Sequence, residues 1–562
     1  MLSSLTRLLI PFGVLIIDKN RVDVLAMDSE QPRVHVQEGG LIGVIDENVY
    51  GKKYIAFRGI PYAQPPVGAL RFKNPVPMEP WTGYRDASKY GNICIQQDMF
   101  SSEIIGDEDC LFLNVYTTDM KPHKKRSVMV WIHGGGYVVG MGDESLYGPD
   151  HIVQKDVVLV TLNYRLGALG FLNLDDEVAA GNQGLQDVIL ALRWVQKNIA
   201  AFGGDPKDVT IFGESAGGGI VSLLTLSPLA EGLFHKAIAQ SGVALNPWAL
   251  YEWSKPTENN GFLLTKKLGK TTTDPKVAYE FLKTVEARKF VEYMNSLPEL
   301  NNRRADLPFA PTVDTKSASP VFPEHPQILL QRNGIKVPFL LGCNGREGSF
   351  LLQGKFYGNI TKKLFEEVNA DFSKAIPSKL LPTLPVTPGE LKAYYFGKKP
   401  VSEETFSSYV DFVGDAVFYQ GITKLADIQS QRTGKPTYFY YFTYDNEAAL
   451  YRKILNVDIP GTVHTAELGY LFHPHVIKYL GLSPIAPGSE DYKMINRLVQ
   501  MWTDFAKTGD PTPAITELTP VKWTPLKPGD VLDVLNIDTK PEMKTFRKGK
   551  ERWNWENIKN KQ

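Results

Sequence analysis

Continuous apolar runs alternate with helix-like periodicity in the first half of the chain. The runs Ser127–Ile132, Val157–Leu162 and Val209–Phe212 have the length of strands, and unbroken apolar strands are typical of a parallel sheet buried on both faces. Between the second and third runs, apolar residues recur on one helical face, at Leu185, Val188, Ile189, Leu192, Val195 and Ile199. Strands that alternate with helices predict an α/β fold with a large, mostly parallel central sheet and flanking helices.

The middle of the chain has a different pattern. Residues Trp253–Asn302 are polar and helix-prone and contain no strand-like run, so they predict helical insertions. The proline-rich stretches Pro308–Pro326 and Pro377–Pro388 predict loops. The chain shows no internal repeat, and its 562 residues are enough to bury a large core. We therefore predict one domain over residues 27–562.

The first 26 residues have the features of a targeting segment. Arg7 precedes the apolar run Leu8–Ile17, which is too short to span a bilayer but fits the apolar region of a secretory signal peptide. Small residues suited to cleavage end at Ala26. Residues 1–26 are therefore predicted to be a signal peptide or an N-terminal extension. The secretory pathway is favoured, with the cytoplasm as the alternative, and no integral membrane segment is expected.

Charge and cysteine content narrow the possible partners. Lys+Arg and Asp+Glu both number 62, so the chain lacks the excess of positive charge that is typical of nucleic-acid-binding proteins. The three cysteines are Cys94, Cys110 and Cys343, and none has zinc-site spacing. Counting alone allows either one disulfide with one thiol or three thiols. No metal or organic cofactor is predicted.

The segment Gly213–Gly217 reads Gly-Glu-Ser-Ala-Gly. It follows a predicted strand and precedes a helix start rich in small residues, which is the setting that a G-x-S-x-G nucleophile turn requires. Glycines on both sides leave room for a strained serine. The N–H group after the serine begins a helix and is aimed at a developing oxyanion. Ser215 is thus the candidate nucleophile.

A glycine triplet lies at Gly134–Gly136, where His133 separates it from the strand that ends at Ile132. Consecutive glycines let two backbone N–H groups turn toward one point without a Cβ in the way, as in the second half of an esterase oxyanion hole. No Gly-Lys-Ser/Thr follows, which argues against a phosphate-binding loop.

A serine hydroxyl needs a general base, and histidine suits that role. Five histidines follow Ser215 in the chain, and the residue pattern alone does not choose among them: His235, His325, His464, His473 and His475. His464 lies in a loop, Gly461–Glu467, before an apolar stretch, as expected of a base carried above a sheet. The acid that would orient it stays undetermined at this point.

Seven further motifs occur in order along the chain. They are FRGIPYA (Phe57–Ala63), RF (Arg71–Phe72), EDCLFLNVY (Glu108–Tyr116), NYRLG (Asn163–Gly167), GNQGL (Gly181–Leu185), FGGDP (Phe202–Pro206) and WTDFAKTGDP (Trp502–Pro511). With these motifs the sequence resembles the type-B carboxylesterase family, which includes cholinesterases and juvenile hormone esterases, and it is most like an insect carboxylesterase. The resemblance runs from about Val34 to Asn536 and implies the α/β-hydrolase fold.

The resemblance also implies roles for individual residues. It implies a catalytic triad of Ser215, Glu347 and His464. The oxyanion donors would be the backbone N–H groups of Gly135, Gly136 and Ala216. Cys94 and Cys110 match the family's first disulfide, which fits an oxidising compartment, and Cys343 would be the free thiol. Asn359 begins an Asn-Ile-Thr glycosylation sequon, which agrees with secretion.

Four residues match substrate-pocket positions of the family: Trp248, Phe309, Phe350 and Leu351. The position of Leu351 is aromatic in cholinesterases, so the acyl side of the pocket is expected to be wider here. The loop between Cys94 and Cys110 contains no tryptophan. Because a quaternary ammonium group needs an aromatic face to replace water, acetylcholine is disfavoured as a substrate.

The implied function is hydrolysis of uncharged, apolar carboxylic esters through an acyl-enzyme at Ser215. Detoxification of xenobiotic esters and sequestration of organophosphate inhibitors are roles that this chemistry implies. One alternative is a hormone- or pheromone-specific esterase of the juvenile hormone esterase type. Those enzymes usually carry glutamine before the serine, where this chain has Glu214. The other alternative is a non-catalytic binding or adhesion protein, but such relatives usually lack a triad residue.

Overall fold

The computed structural model describes residues 31–560 except 100, 102, 295, 297–305, 353–361 and 447–448. The predicted signal segment, residues 1–26, and the sequon at Asn359 lie outside the described residues. Within the described part, no helix is both long and apolar enough to cross a membrane.

The described chain is organised around one eleven-stranded sheet. Its strands, labelled in chain order, are β1 (Val44–Glu47), β2 (Lys53–Pro61), β3 (Phe112–Thr117), β4 (Arg126–Ile132), β5 (Val157–Leu162), β6 (Gly204–Glu214), β7 (Lys236–Gln240), β8 (Phe339–Asn344), β9 (Thr437–Phe442), β10 (Val531–Ile537) and β11 (Glu542–Arg547). The spatial order is β11-β10-β9-β8-β7-β6-β4-β5-β3-β2-β1.

The centre of this sheet is parallel and its margins are antiparallel. Strands β5, β4, β6, β7, β8, β9 and β10 pair in parallel, whereas β1, β2, β3 and β11 join their neighbours antiparallel. Every residue of β5 is buried, as expected of a strand covered on both faces. The predicted α/β fold with a mostly parallel sheet is therefore confirmed.

Short strands form three smaller sheets. They are Arg33–Val36, Gly39–Ile42 and Tyr84–Asp86 in one sheet, Gln96–Gln97 with Ile104–Ile105, and Asn173–Asp176 with Ala179–Ala180.

Helices cover the sheet and build the insertions. The α-helices in the described residues are Glu144–Tyr147, Gly167–Phe171, Gln183–Asn198, Ala216–Leu224, Asn260–Lys267, Pro275–Thr284, Ala287–Met294, Pro326–Asn333, Ser349–Leu352, Lys362–Ala370, Pro388–Phe396, Phe406–Gly414, Gln420–Ser430, Leu450–Leu455, Leu468–Leu471 and Glu490–Thr508. One π-helical turn, Asp415–Tyr419, joins the helices on either side of it.

The predicted helical face between β5 and β6 is confirmed in the helix Gln183–Asn198. Five of the six predicted apolar positions lie in this helix, and the sixth, Ile199, lies in the 3₁₀ turn that follows it. All six are buried. The described part of the predicted insertion contains three helices joined by loops, Asn260–Lys267, Pro275–Thr284 and Ala287–Met294, as predicted. Residues 377–387 form a loop that contains one short 3₁₀ turn, Leu381–Thr383, and Pro388 begins the next helix.

Cys94 and Cys110 form a disulfide, as the family resemblance implied. Cys343 lies on β8 as a buried free thiol. Burial raises the pKa of this thiol well above its usual value. Cys343 is therefore expected to stay an unreactive core residue.

A histidine cluster is buried beside the core, and it makes folding sensitive to acid. Among the described residues, neither ring nitrogen of His151 has a hydrogen-bond partner, and its ring centroid lies 6.0 Å from that of His473. Burial lowers the pKa of His151 to about 3, although neighbouring Asp150 opposes the shift. Burial also lowers the pKa of His473 to about 4. Both rings are therefore neutral in the folded protein at neutral pH.

We expect the protein to lose stability as the pH falls from about 6.5 toward about 4. In that range the histidines of the unfolded chain bind protons that the buried rings of the folded chain do not. Each unit of difference between the folded and unfolded pKa therefore lowers the free energy of unfolding by about 1.4 kcal/mol. His151→Phe should therefore flatten the fall of the melting temperature with decreasing pH, as measured by calorimetry. His123→Phe, at an exposed position, is the control. Equal slopes for wild type and His151→Phe would contradict this account.

Candidate active site

The candidate site lies where parallel strands of the sheet end, which is where ligands bind in open α/β sheets. Ser215 directly follows β6, and the glycine triplet Gly134–Gly136 follows β4. Glu347 lies three residues beyond the end of β8. Since β4, β6 and β8 run in the same direction, the fold gathers these residues at one edge.

The backbone of Ser215 is strained. Its φ and ψ angles are 56° and −125°, an unfavourable region for a residue with a side chain. The turn is held because the Ser215 N–H donates to the Gln240 carbonyl at 2.8 Å. A Cβ on Gly217 would lie 2.0 Å from the Ile132 carbonyl oxygen, so only glycine fits there. The turn therefore presents the serine hydroxyl above the sheet edge.

His464 is carried on a loop that is fastened to the end of β8. The Arg346 N–H donates to the Thr462 carbonyl at 2.9 Å, and the Asn344 Nδ2 donates to the Val463 carbonyl at 2.9 Å. As a result, His464 Nδ1 lies 2.6 Å from Glu347 Oε2. Both side chains are buried. The histidine and the carboxylate that the family resemblance pairs are thus hydrogen-bonded in the structure.

The carboxylate of Glu214 is the next charge beside the imidazole. Its Oε1 atom lies 3.0 Å from His464 Nε2, but within the described part of the chain Nε2 has no hydrogen-bond partner. Burial lowers the pKa of His464, yet the charges of Glu214 and Glu347 outweigh it and raise that pKa to about 9. Burial raises the pKa of Glu214 well above its usual value. The two groups therefore compete for one proton.

Backbone amides on the glycine loop and directly after Ser215 lack an acceptor among the described residues. The N–H groups of Gly135, Gly136 and Ala216 donate no hydrogen bond to any other described residue. Ala216 opens the helix Ala216–Leu224, where the first N–H groups have no partner within the helix. Gly135 has a φ of 103°, and a Cβ there would lie 2.1 Å from the Val139 carbonyl oxygen. The loop therefore requires glycine and leaves donors free for an anion.

Ser215 and His464 open into one cavity of about 340 Å³. The cavity walls are mostly apolar, and they include Met99, Leu146, Trp248, Val291, Met294, Leu307, Phe350, Leu351, Val417, Phe418, Tyr451, Ile454, Leu455 and Leu468. Glu214 and His464 are the only ionisable acids or bases among the described lining residues apart from tyrosines. Such a cavity suits an uncharged, apolar ligand.

Three of the four predicted pocket residues line this cavity: Trp248, Phe350 and Leu351. Phe309 does not line it; this residue is 1% exposed and packs in the core, and Leu307 forms the nearby wall. Sequence reasoning missed Phe418, whose ring centroid lies 4.7 Å from that of His464. No local motif marks that residue, because it comes from a distant helix and reaches the site only through the fold.

The other four histidines that follow Ser215 do not line the cavity. His235 accepts a hydrogen bond from the Val209 N–H, and His325 caps the helix Pro326–Asn333. His475 contacts Asp150 at 3.1 Å, next to His473. Geometry therefore leaves His464 as the candidate base.

Comparisons with known proteins identify the family of this chain. Residues 30–555 match the model of the carboxylesterase family. The chain is 35% identical over 529 residues to Esterase FE4 of Myzus persicae, covering 91% of this chain and 90% of that protein. It is 33% identical over 520 residues to the juvenile hormone esterase of Tribolium castaneum, covering 87% and 86%. The crystal structure of juvenile hormone esterase from Manduca sexta, with OTFP covalently attached, superposes with a TM-score of 0.82 at 28% identity, covering 95% of this chain and 99% of that one.

The fold and the family match define the protein as a carboxylic ester hydrolase with the α/β-hydrolase fold. The chain belongs to the carboxylesterase family, and its insect relatives include esterases of aphid and beetle. The predicted family and fold class are confirmed, and esters of small molecules are its class of substrate.

Proposed function

We propose that the protein is a serine carboxylesterase that hydrolyses uncharged, apolar esters through an acyl-enzyme. The observation that carries the proposal is the shared cavity of Ser215 and His464, with His464 Nδ1 2.6 Å from Glu347 Oε2. A serine on a strained turn, a base and a buried acid are the parts that nucleophilic acyl transfer needs.

In the first half-reaction, His464 Nε2 takes the proton of Ser215 while the hydroxyl oxygen attacks the ester carbonyl carbon. The carbonyl oxygen gains negative charge and accepts hydrogen bonds from the free amides of the glycine loop and Ala216. Glu347 stabilises the imidazolium through Nδ1–H. The tetrahedral intermediate then breaks its bond to the alcohol oxygen, which leaves with the proton from His464.

In the second half-reaction, water replaces the alcohol. His464 takes a proton from the water as its oxygen attacks the acyl-enzyme, and the proton then passes to the Ser215 oxygen as the acid leaves. These steps use only side chains and backbone amides of this chain.

The test is a burst experiment with excess p-nitrophenyl butyrate. We expect nitrophenol release of about one equivalent in a fast phase, followed by a steady rate, when acylation is faster than deacylation. The steady rate distinguishes a catalyst from a sequestering protein. Folded wild-type protein with neither burst nor turnover would contradict the proposal and favour a non-catalytic binding protein.

The pH profile gives a second prediction. Because the charge of Glu214 raises the pKa of His464, free-base His464 and kcat/KM should increase with pH up to about 9. Glu214→Gln removes that charge, so the rising limb should move to lower pH by one or more units, measured with p-nitrophenyl butyrate. Glu252→Gln, a carboxylate outside the cavity, should leave the limb unchanged. If the rising limb of the pH profile stays in place in Glu214→Gln, the assigned contact between Glu214 and His464 is wrong.

A hormone-specific esterase is the second candidate function. Similarity to juvenile hormone esterases of beetle and moth favours it, and the apolar cavity would accept a hydrophobic hormone ester. Glu214 in place of the usual glutamine argues for the broader role. Comparison of kcat/KM for juvenile hormone and for short aryl esters separates the two.

We also propose that the protein is secreted and glycosylated at Asn359, and that it detoxifies xenobiotic esters. The Cys94–Cys110 disulfide supports an oxidising compartment. Expression of the full chain in insect cells tests this: the proposal predicts protein in the medium that begins near residue 27 and loses mass on treatment with N-glycosidase. Retention inside the cells with residues 1–26 attached would contradict it.

A further inference from the structure

The imidazole of His464 is enclosed by two phenylalanine rings. The ring centroid of Phe418 lies 4.7 Å from that of His464, and the centroid of Phe350 lies 5.1 Å away. The imidazole is hydrogen-bonded at Nδ1 to Glu347, a contact about which the ring could still pivot. The two ring contacts limit that motion. Phe350 is close to Glu347 in the chain, whereas Phe418 comes from the separate π-helical turn Asp415–Tyr419.

This π-helical turn is tied to the base of the cavity. A π-turn interrupts the regular helical hydrogen-bond pattern, and such turns are frequent at functional sites. The carbonyl of Val417 accepts hydrogen bonds from Asn246 Nδ2 at 2.9 Å and from Trp248 Nε1 at 3.0 Å. The carbonyl of Phe418 also accepts from Asn246 Nδ2, at 2.9 Å. These bonds hold the backbone of Val417 and of Phe418, whose ring contacts His464.

The C-terminal segment Arg552–Trp555 holds the first residue of the turn. Arg552 Nε lies 2.7 Å from Asp415 Oδ2, and Arg552 Nη2 lies 3.0 Å from Asp415 Oδ1. The Asp415 side chain is fully buried, and Tyr395 also donates its hydroxyl to it. A bidentate arginine pair fixes geometry as well as charge. Loss of Arg552 would leave a buried carboxylate without its cation.

The same segment holds the last residue of the turn. The Trp553 ring stacks on Tyr419 with the ring centroids 4.9 Å apart and the planes 17° from parallel. The Tyr419 hydroxyl donates to the carbonyl of Asn344. The Asn344 N–H in turn donates to Glu347 Oε1 at 2.7 Å. The turn therefore contacts both the imidazole, through Phe418, and the support of its acid partner.

We propose that Phe418 is a positioning residue for His464, and that the π-turn Asp415–Tyr419 is held in place from the C-terminal segment by Arg552 and Trp553. This inference rests on the proposed function, since it takes His464 as the general base. The segment thereby sets the orientation of the base without contacting the substrate.

The first test replaces Phe418 by leucine and uses the smallest ester, p-nitrophenyl acetate. A loosened imidazole should lower kcat and kcat/KM together by about 10- to 100-fold, because misplacement by about 1 Å costs about 100-fold. If Phe418 acted only as a cavity wall, the variant would change KM and the preference for longer acyl chains but leave kcat on acetate unchanged. Phe505→Leu, at an equally buried ring outside the cavity, is the control.

The second test acts at a distance from the cavity. Arg552→Met should lower kcat on every ester by about tenfold with KM unchanged, and Arg552→Lys should recover part of the loss. The control is Lys548→Met, because Lys548, four residues before that segment, ties the same end of the chain to Asp427 and Ser430 on the helix after the π-turn. The proton on His464 Nδ1 gives a direct signature: its downfield NMR resonance should broaden in Phe418→Leu and Arg552→Met and persist in both controls.

The outcomes separate this inference from the proposed function. If wild-type protein neither turns over esters nor is acylated at Ser215, the proposed function fails. If the wild type is acylated, but Phe418→Leu and Arg552→Met match their controls in kcat and in the His464 resonance, then the inference alone is overturned.

Discussion

Replacement of Ser215 by alanine is expected to lower kcat for p-nitrophenyl butyrate roughly a millionfold, the scale found when a triad nucleophile is removed. The cavity, the glycine loop and the His464–Glu347 pair stay in place, so binding should persist. No other described side chain in the cavity combines a nucleophilic hydroxyl with a strained turn at a helix start. Stopped-flow measurement of nitrophenol release gives both the burst and the steady rate.

Ser222→Ala is the matched control for this loss. Ser222 is buried on the helix that Ser215 precedes, and its hydroxyl accepts a hydrogen bond from the Ala244 N–H rather than facing the cavity. The Ser222→Ala variant should show the same burst of nitrophenol release as the wild type. A burst that survives in Ser215→Ala would mean that another residue carries the acyl group.

Replacement of Glu347 by glutamine is expected to lower kcat by about four orders of magnitude, as in a serine protease whose triad acid is changed to its amide. The carboxylate accepts from His464 Nδ1 at 2.6 Å and from the Asn344 N–H at 2.7 Å. An amide nitrogen facing Nδ1 would favour the tautomer with the proton on Nε2. That nitrogen could then no longer accept the serine proton.

The Glu347→Gln substitution should lower kcat but leave KM and the stability of the folded protein unchanged. Melting curves compare the stability of Glu347→Gln with that of the wild type. Glu324→Gln, which changes a surface carboxylate paired with Arg332, controls for the substitution itself. Wild-type kcat in a folded Glu347→Gln protein would show that Glu347 does not orient the base.

The sheet could be predicted where its strands are continuous apolar runs. The run Val157–Leu162 coincides with β5, since a strand buried on both faces is almost entirely apolar, and here only Thr161 is polar. Strand β6 is longer than predicted, because its polar start pairs with β4 across an irregularity between Gly204 and Val209. The half-exposed β1 was not predicted, since its pattern of intermediate and exposed residues lacks a buried face.

The site could be predicted only in part. Ser215 and the glycine loop carry local signals, because tight turns impose residue types at fixed spacing. The pairing of Glu347 with His464 has no such signal, and only the family resemblance indicated it before the structure placed the two side chains 2.6 Å apart. Phe418 contacts the imidazole because it lies in a π-turn that a residue distant in sequence, Arg552, holds in place. Such a contact depends on tertiary packing, so no local sequence signal indicates it.

The most direct test of the central claim is covalent labelling of wild-type protein with paraoxon, a diethyl p-nitrophenyl phosphate. Attack of the serine oxygen on phosphorus should release one equivalent of nitrophenol and leave one diethylphosphoryl group per chain. Mass spectrometry of the intact protein and of its peptides locates that group. The diethylphosphoryl group is expected on Ser215 of the wild type, and no label is expected on Ser215→Ala. Labelling at another residue, or equal labelling of the folded Ser215→Ala protein, would contradict it.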